Sequence, residues 1–209
     1  MRNTYSYFFS LILLPLFSKG QDAPPDSAKS VWSFSTSAYF YIVPDEKSTV
    51  SLIGYADHKS LHLEGRYNYE DHKTGSVFAG WRFETGEKFV FSATPMLGLV
   101  FGNTNGIAPG LELEASYGIF DFYSETEYVI VFSGKENNFL YTWGEIGVSP
   151  LDRFRTGLSY QRTKLYQSKF DVQRGLFAEY QVWKFTIGAY YFDPFNESQY
   201  VIASLSFDF

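Results

Sequence analysis

The chain from Val31 to Phe209 is a succession of short runs in which apolar and polar residues alternate. The run 60–69 shows this clearly, because apolar, aromatic or glycine residues fill its odd positions while His62, Glu64 and Arg66 lie at even positions. Successive side chains of a β-strand point to opposite faces, so this alternation indicates a strand whose two faces meet different surroundings.

Twelve such runs follow one another, and no window has the period of an amphipathic helix. The predicted strands are 31–42, 48–57, 60–69, 76–85, 88–101, 107–119, 120–132, 139–149, 153–164, 170–182, 184–193 and 198–209. The sequence therefore predicts an all-β chain.

Long and short connections alternate along this series. The six longer, polar connections centre on residues 44–47, 71–74, 103–105, 134–137, 166–168 and 194–197, and the five tight turns on 58–59, 86–87, 120–121, 150–152 and 183–184. An even-numbered barrel with both ends on one side needs this rhythm. We predict a closed antiparallel up-and-down transmembrane β-barrel of twelve strands, with ten or fourteen as the alternatives.

The last strand alternates up to a terminal aromatic residue, and its ending resembles the assembly signal of bacterial outer-membrane β-barrels. Leu205, Phe207 and Phe209 form the signal. The resemblance implies the barrel-assembly machinery as a partner. Alternation predicts that these side chains, with Val201 and Ala203, face lipid, whereas Ser204, Ser206 and Asp208 face inward.

The start of the chain has the form of a signal peptide. Arg2 precedes an apolar run over 7–17, and small residues precede a predicted cleavage site before Gln21. A membrane anchor is the alternative, but the run is shorter than the roughly 20 residues that span a bilayer. We predict a signal peptide over 1–20, a loose lead-in over 21–30 and the barrel over 31–209.

Composition agrees with a barrel exported to the bacterial outer membrane. Aromatic residues make up 21% of the chain, which suits two interfacial aromatic belts. The absence of cysteine argues against a disulfide-stapled secreted domain. Loss of residues 1–20 leaves 15 basic and 23 acidic residues, a net charge of −8, which gives no electrostatic case for nucleic-acid binding. The expected surroundings are outer-membrane lipid and lipopolysaccharide.

One hairpin carries a second resemblance. Its segments 94–98, 102–104 and 108–110 resemble a stretch of bacterial outer-membrane proteins of unassigned function. This similarity implies a fold and a location, and no activity. Pro95 and Pro109 fall inside its predicted strands, and since proline cannot complete a strand ladder, we expect local β-bulges there.

Charged side chains cannot face lipid at low cost, so those at inward positions are expected to line the lumen. These candidates are His62, Glu64, Arg66, Arg82, Glu84, Glu112, Glu114, Glu125, Glu127, Glu145, Arg155 and Glu179, with Arg174 a weaker one. One interpretation is a ladder of ion pairs in a closed structural barrel. The other is a narrow passive channel, whose acid excess favours small polar or cationic solutes.

Twelve strands enclose more space than eight and less than the sixteen to eighteen of open porins. Inward aromatic residues at 78, 123, 143 and 177 are expected to narrow that space further. A channel or small-ligand transport barrel is therefore favoured over a wide diffusion pore.

Catalysis is the alternative from a different class, because some outer-membrane barrels are lipid hydrolases or deacylases. A nucleophilic site needs serine and histidine within hydrogen-bond reach. His58 and His72 lie in connections on opposite sides, and His62 faces the lumen, away from lipid. We therefore predict no enzyme, no cofactor and no metal site.

Overall fold

A computed structural model describes residues 31–44, 47–163 and 172–209. The predicted signal peptide and lead-in, and parts of two longer connections, lie outside the described residues. Within the described ranges the only helical element is a single 3₁₀ turn, Lys135–Asn137. No helix among these residues is long and apolar enough to cross a membrane.

Thirteen strand segments account for most of the described chain. They are β1 (Ser33–Ile42), β2 (Thr49–His58), β3 (Leu61–Tyr67), β4 (Thr74–Trp81), β5 (Phe83–Thr85), β6 (Phe89–Gly102), β7 (Gly106–Tyr117), β8 (Phe120–Val131), β9 (Phe139–Leu151), β10 (Phe154–Arg162), β11 (Gln173–Val182), β12 (Phe185–Phe192) and β13 (Tyr200–Asp208).

The strands form one closed antiparallel ring. Neighbours in sequence pair around it, and β1 pairs with β13 from Ser35 opposite Asp208 to Ile42 opposite Val201. The ring closes at β4 and β6, which pair from Thr74 opposite Gly102 to Gly80 opposite Met96. The predicted barrel and the pairing of its first and last strands are thus confirmed.

Segments β4 and β5 are two parts of one barrel strand. Both pair with the same side of β6, and the register continues unchanged from Gly80 opposite Met96 to Phe83 opposite Ala93. The interruption lies opposite Pro95, which has no N–H to donate. The ring therefore has the predicted twelve strands.

The prediction of β-bulges at Pro95 and Pro109 is wrong. Pairing of β6 with β7 runs without a shift from Phe89 opposite Tyr117 to Val100 opposite Gly106. Opposite β8, the pairing skips Pro109 and resumes in the same register at Gly110. Strand pairing is therefore interrupted next to each proline, and no extra residue is inserted.

A register shift occurs elsewhere, between β9 and β10. Phe154 lies opposite Leu151, whereas Thr156 lies opposite Val148. This irregularity adjoins the short turn at 152–153, beside Pro150, where the ladder can change register at the end of two strands.

Alternation divides each strand between an apolar outer face and a packed interior. On β13, Val201 and Leu205 are exposed while Ile202 and Ser204 are buried. On β11, Leu176 and Tyr180 are exposed while Phe177 is buried. The whole outer wall follows this rule, so large apolar side chains cover the outside of the barrel.

The two ends of the barrel differ. One end, here termed the short-turn end, carries the tight turns and the last residue, whose backbone N–H donates to Phe34 O at 3.0 Å. Several of these turns place a residue at positive φ, as at Lys59, Gly86 and Arg153. The opposite end, the long-loop end, carries the longer connections.

Candidate functional site

The lumen is lined by buried charged and aromatic side chains. Charged groups come from β3, β7, β8, β9, β10 and β11, and aromatic rings pack among them and across the rest of the lumen. The buried glutamates are Glu64, Glu70, Glu112, Glu114, Glu125, Glu127, Glu145 and Glu179, whereas the buried arginines among the described residues are Arg66 and Arg155. The described interior is therefore rich in acids.

The Arg66 cluster comprises Arg66 and the four glutamates around it. The Arg66 guanidinium lies 2.5 Å from Glu64 and 2.6 Å from Glu125, its two nearest carboxylates. Glu127 at 3.3 Å and Glu70 at 3.5 Å complete the set. Glu125 and Glu127 belong to β8, a third of the ring away from β3, so this guanidinium joins two distant parts of the wall.

Rings complete the surroundings of Arg66. Its guanidinium carbon lies 4.2 Å from the centre of the Phe78 ring and 4.8 Å from that of Tyr69. Tyr69 also donates its hydroxyl to Glu125 at 2.9 Å. The guanidinium is thus enclosed by carboxylates and π-faces, both of which favour a buried cation.

Glu70 joins this cluster from a connection. Asn68, at positive φ, accepts from the Lys73 N–H at 2.6 Å and folds the segment after β3 inward. The Glu70 side chain is completely buried and accepts from Ser76 Oγ at 2.5 Å. The strand pattern offers no signal for this residue, because it follows the predicted end of the run.

The His62 cluster comprises Asp57, His62, Glu64 and Glu112. His62 Nδ1 lies 2.7 Å from Asp57 Oδ1, and Nε2 lies 2.7 Å from Glu64 Oε1 and 3.5 Å from Glu112 Oε2. One nitrogen and two carboxylate oxygens, from His62, Glu64 and Glu112, all lie within 4.8 Å of one another. This trio has the donor types and spacing that could hold a metal ion.

The Arg155 cluster gathers Asp121, Glu145 and Glu179 around a second arginine. The guanidinium of Arg155 lies 2.5 Å from Asp121, 2.6 Å from Glu145 and 2.9 Å from Glu179. Tyr190 donates to Glu145 at 3.0 Å and to Glu179 at 2.6 Å. Each guanidinium therefore serves several carboxylates at once.

Arg82 and Glu84 lie nearer the short-turn rim. Arg82 lies 3.7 Å from Glu114 and 3.9 Å from Asp57, with its side chain 12% exposed. Glu84 occupies an inward position of β5 but is exposed, because the short segment extends beyond the packed interior. Arg174 shares the outward face of Leu176 and is also exposed.

Aromatic rings also meet across the lumen. Tyr39 on β1 lies 5.9 Å from Trp143 on β9, measured between ring centres, and the two strands are on opposite sides of the ring. Tyr69 and Tyr141 are 4.8 Å apart across the same space. Trp143 is 3% exposed and also packs on Phe192 at 5.6 Å. The passage is therefore narrow.

All the predicted inward charges except Arg82, Glu84, Arg174 and Asp208 are buried, and Arg82 lies at the edge of the packed interior. The predicted inward rings Phe78, Tyr123, Trp143 and Phe177 are buried as well. Sequence reasoning missed Asp57, Glu70 and Asp121, which it placed at the end of a strand, in a loop and in a turn. For Asp57 and Asp121 the signal was the same alternation, because both lie within predicted strands, two residues from an inward-facing tyrosine.

The fold is similar to that of solved porins. A KdgM porin has 14% sequence identity and a TM-score of 0.59, covering 84% of this chain and 99% of that chain. A "KdgM porin in complex with disordered oligogalacturonate" has 13% identity and a TM-score of 0.57, over 84% and 99%. The Acinetobacter baumannii outer membrane protein Omp33 has 13% identity and a TM-score of 0.52, over 85% and 98%.

At these identities the likeness concerns the fold alone, a closed barrel like that of these proteins. No protein-family model matches the chain, and no curated protein does.

Proposed function

We propose that this chain is a bacterial outer-membrane barrel that passes small cations or uncharged polar solutes through a narrow, acid-lined lumen. The apolar outer wall supports the location, because a closed ring with lipid-facing apolar side chains leaves no unpaired strand edge in hydrocarbon. The porin-type fold supports transport. The observation that carries the proposal is the excess of buried carboxylates over guanidinium groups inside the ring.

Acid excess determines which solutes the lumen favours. Fixed negative charge in a low-dielectric passage attracts cations and repels anions. Oligogalacturonate, named with one of the similar porins, is an oligomer of a sugar acid and carries negative charge. We therefore expect this lumen to disfavour such a polyanion, even though the folds are alike.

A closed structural barrel is the second candidate, and the contacts across the lumen favour it. The pair Tyr39–Trp143 and the pair Arg66–Glu125 both join strands that are four or five places apart in the ring. For conduction, some of these side chains must change rotamer. Catalysis has no support in the described residues beyond the metal-ligand trio, which lacks a neighbouring serine contact.

Reversal potentials in planar bilayers test the channel. The purified, refolded protein is placed between two KCl concentrations, and the sign of the reversal potential gives cation or anion preference. We expect cation preference that falls in the double variant Glu112→Gln and Glu114→Gln. The matched control is Glu84→Gln with Glu87→Gln, which removes two exposed acids at the short-turn rim.

Two outcomes contradict the proposal. Folded protein that inserts without any conductance supports the closed barrel. An unchanged reversal potential in the lumen variant, or an equal change in the rim control, shows that the buried acids do not set selectivity.

A further inference from the structure

We propose that His62, Glu64 and Glu112 form a binding site for a divalent transition-metal ion on the inner wall of the barrel. The site does not depend on conduction through the lumen. It places one imidazole nitrogen and two carboxylate oxygens, donors that Zn²⁺ and similar ions accept, around a common point.

Hydrogen bonding orients the imidazole for this role. Nδ1 donates to Asp57 Oδ1 at 2.7 Å, so the ring presents its Nε2 to the two glutamates. A carboxylate on the far nitrogen is the usual outer partner of a metal-binding histidine, because it fixes the ring and raises the basicity of the ligand atom. Asp57 is therefore a positioning residue for His62.

The two carboxylates are oriented in the same manner. Glu64 Oε2 accepts a hydrogen bond from Arg66 Nε at 2.5 Å, and Oε1 faces His62. Glu112 accepts from the Tyr123 hydroxyl through Oε1 at 2.9 Å and turns Oε2 toward His62. Each ligand thus has its outer atom held by another side chain and its inner atom turned toward the other ligands.

An unsatisfied oxygen marks the place of the ion. Glu112 is 3% exposed, yet its Oε2 has no hydrogen-bond partner among the described residues. A buried carboxylate oxygen without a partner is costly, and a cation removes that cost. His62 Nε2 and Glu64 Oε1 are 2.7 Å apart, which requires a shared proton unless a metal ion takes its place.

Distances and charge both fit a divalent ion. Zinc bonds to nitrogen and oxygen of about 2.0–2.2 Å place tetrahedral ligands roughly 3.3 Å apart. The His62–Glu112 contact of 3.5 Å is close to this separation, and the His62–Glu64 contact of 2.7 Å must widen to reach it. The acids facing the site are Asp57, Glu64, Glu112, Glu114 and Glu125, and the bases are Arg66 and Arg82. With His62 neutral, the acids outnumber the bases, which favours a bound cation.

The site lies toward the short-turn end, because His62 is the second residue of β3. Asp57 and Arg82, whose side chains are 14% and 12% exposed, lie between the site and that rim. A tetrahedral ion held by three side chains keeps a fourth position for water.

Zinc titration tests the site in the full chain. The refolded protein is stripped with a chelator, and Zn²⁺ alone is titrated in detergent by calorimetry. We expect one ion per chain, with binding weakened at least tenfold in Glu112→Gln. Glu179→Gln is the matched control, since it removes a buried acid of the Arg155 cluster and should leave affinity unchanged. Asp57→Asn should weaken binding about 10- to 100-fold, as expected for loss of an outer partner.

A spectroscopic readout separates a ligand set from general acid attraction. Bound Co²⁺ should give visible absorption in the wild type that is lost in His62→Gln, with folding verified by heat-dependent migration on a denaturing gel. Wild-type protein that binds neither ion overturns the proposal. So does an equal loss of affinity in Glu179→Gln and Glu112→Gln. If His62→Gln does not fold, the comparison of the two glutamate variants decides alone.

Discussion

Replacement of Arg66 by methionine should destabilise the barrel strongly. The substitution keeps an unbranched side chain of similar length but removes the only guanidinium that contacts Glu125 and Glu127 in the described structure. The side chain is 0% exposed, and four carboxylates lie within 3.5 Å of it. Loss of one partner of a buried ion pair costs about 3–5 kcal/mol, because the remaining charge is uncompensated.

Protonation of the carboxylates limits this cost. We therefore expect Arg66→Met to lower the free energy of unfolding by about 3–5 kcal/mol, even though four acids lose a partner. The assay is denaturant unfolding in lipid vesicles, monitored by tryptophan fluorescence. All variants must show the same dependence of unfolding free energy on denaturant concentration. Arg82→Met is the control. Its nearest carboxylate is 3.7 Å away, so its loss should cost at most about 1 kcal/mol.

A compensating variant separates charge from packing. Arg66→Met combined with Glu64→Gln and Glu125→Gln removes the charge and its two nearest partners together. Neutral replacement of a buried ionic group is often nearly neutral for stability, so most of the loss should be recovered. No recovery would assign the effect to lost contact with Phe78 and Tyr69. A single variant Arg66→Met within about 1 kcal/mol of wild type would refute the reasoning itself.

Three further predictions concern packing, the passage and assembly. Gly98→Ala should destabilise by about 1–3 kcal/mol in the same unfolding assay, since a Cβ there would lie 2.4 Å from the Phe78 ring. Gly65→Ala, which meets nothing within 4 Å, should be neutral or slightly stabilising. Trp143→Ala should raise single-channel conductance, because it removes the ring that spans the lumen. Phe209→Ala should lower the amount assembled in cells while the refolded barrel keeps its stability, since the ring is 69% exposed.

Each of these has an outcome that counts against it. Equal stability of the two alanine variants would show that the interior tolerates an added methyl group. Trp81→Ala, at an exposed outer position, is the control for Trp143→Ala, and a matching change in conductance would point to altered insertion. A large stability loss in Phe209→Ala would make that residue structural and remove the argument for an assembly signal.

The strands and their faces could be predicted because a strand has a period of two and the two sides of this wall face different environments. On β3, for example, His62, Glu64 and Arg66 could only point inward once Leu61 and Tyr67 were assigned outward. The rhythm of connections then fixed the strand number. The confirmed ring of twelve thus follows from local pattern alone.

Partners across the lumen could not be predicted in this way. Which carboxylate meets Arg66 depends on the stagger of the strands around the ring, and no local signal reports that stagger. Glu125 and Glu127 come from β8, and Glu70 enters from a connection that bends inward at Asn68. Prediction of bulges at proline failed for a related reason, because a lost hydrogen bond can be tolerated without an added residue.

The acid excess of the lumen links the proposed channel to the proposed metal site. Guanidinium groups balance only part of the buried carboxylates, so protons or cations must supply the rest. Mobile cations would do so as transient occupants of a conducting path, whereas a divalent ion at His62 would do so as a fixed one. A fixed ion beside the entrance would reduce the local negative field, and Zn²⁺ should therefore lower both the cation preference and the conductance of the wild type. Because Glu112→Gln removes a ligand, the same addition of Zn²⁺ should leave the cation preference and the conductance of that variant nearly unchanged. One substitution therefore tests both proposals.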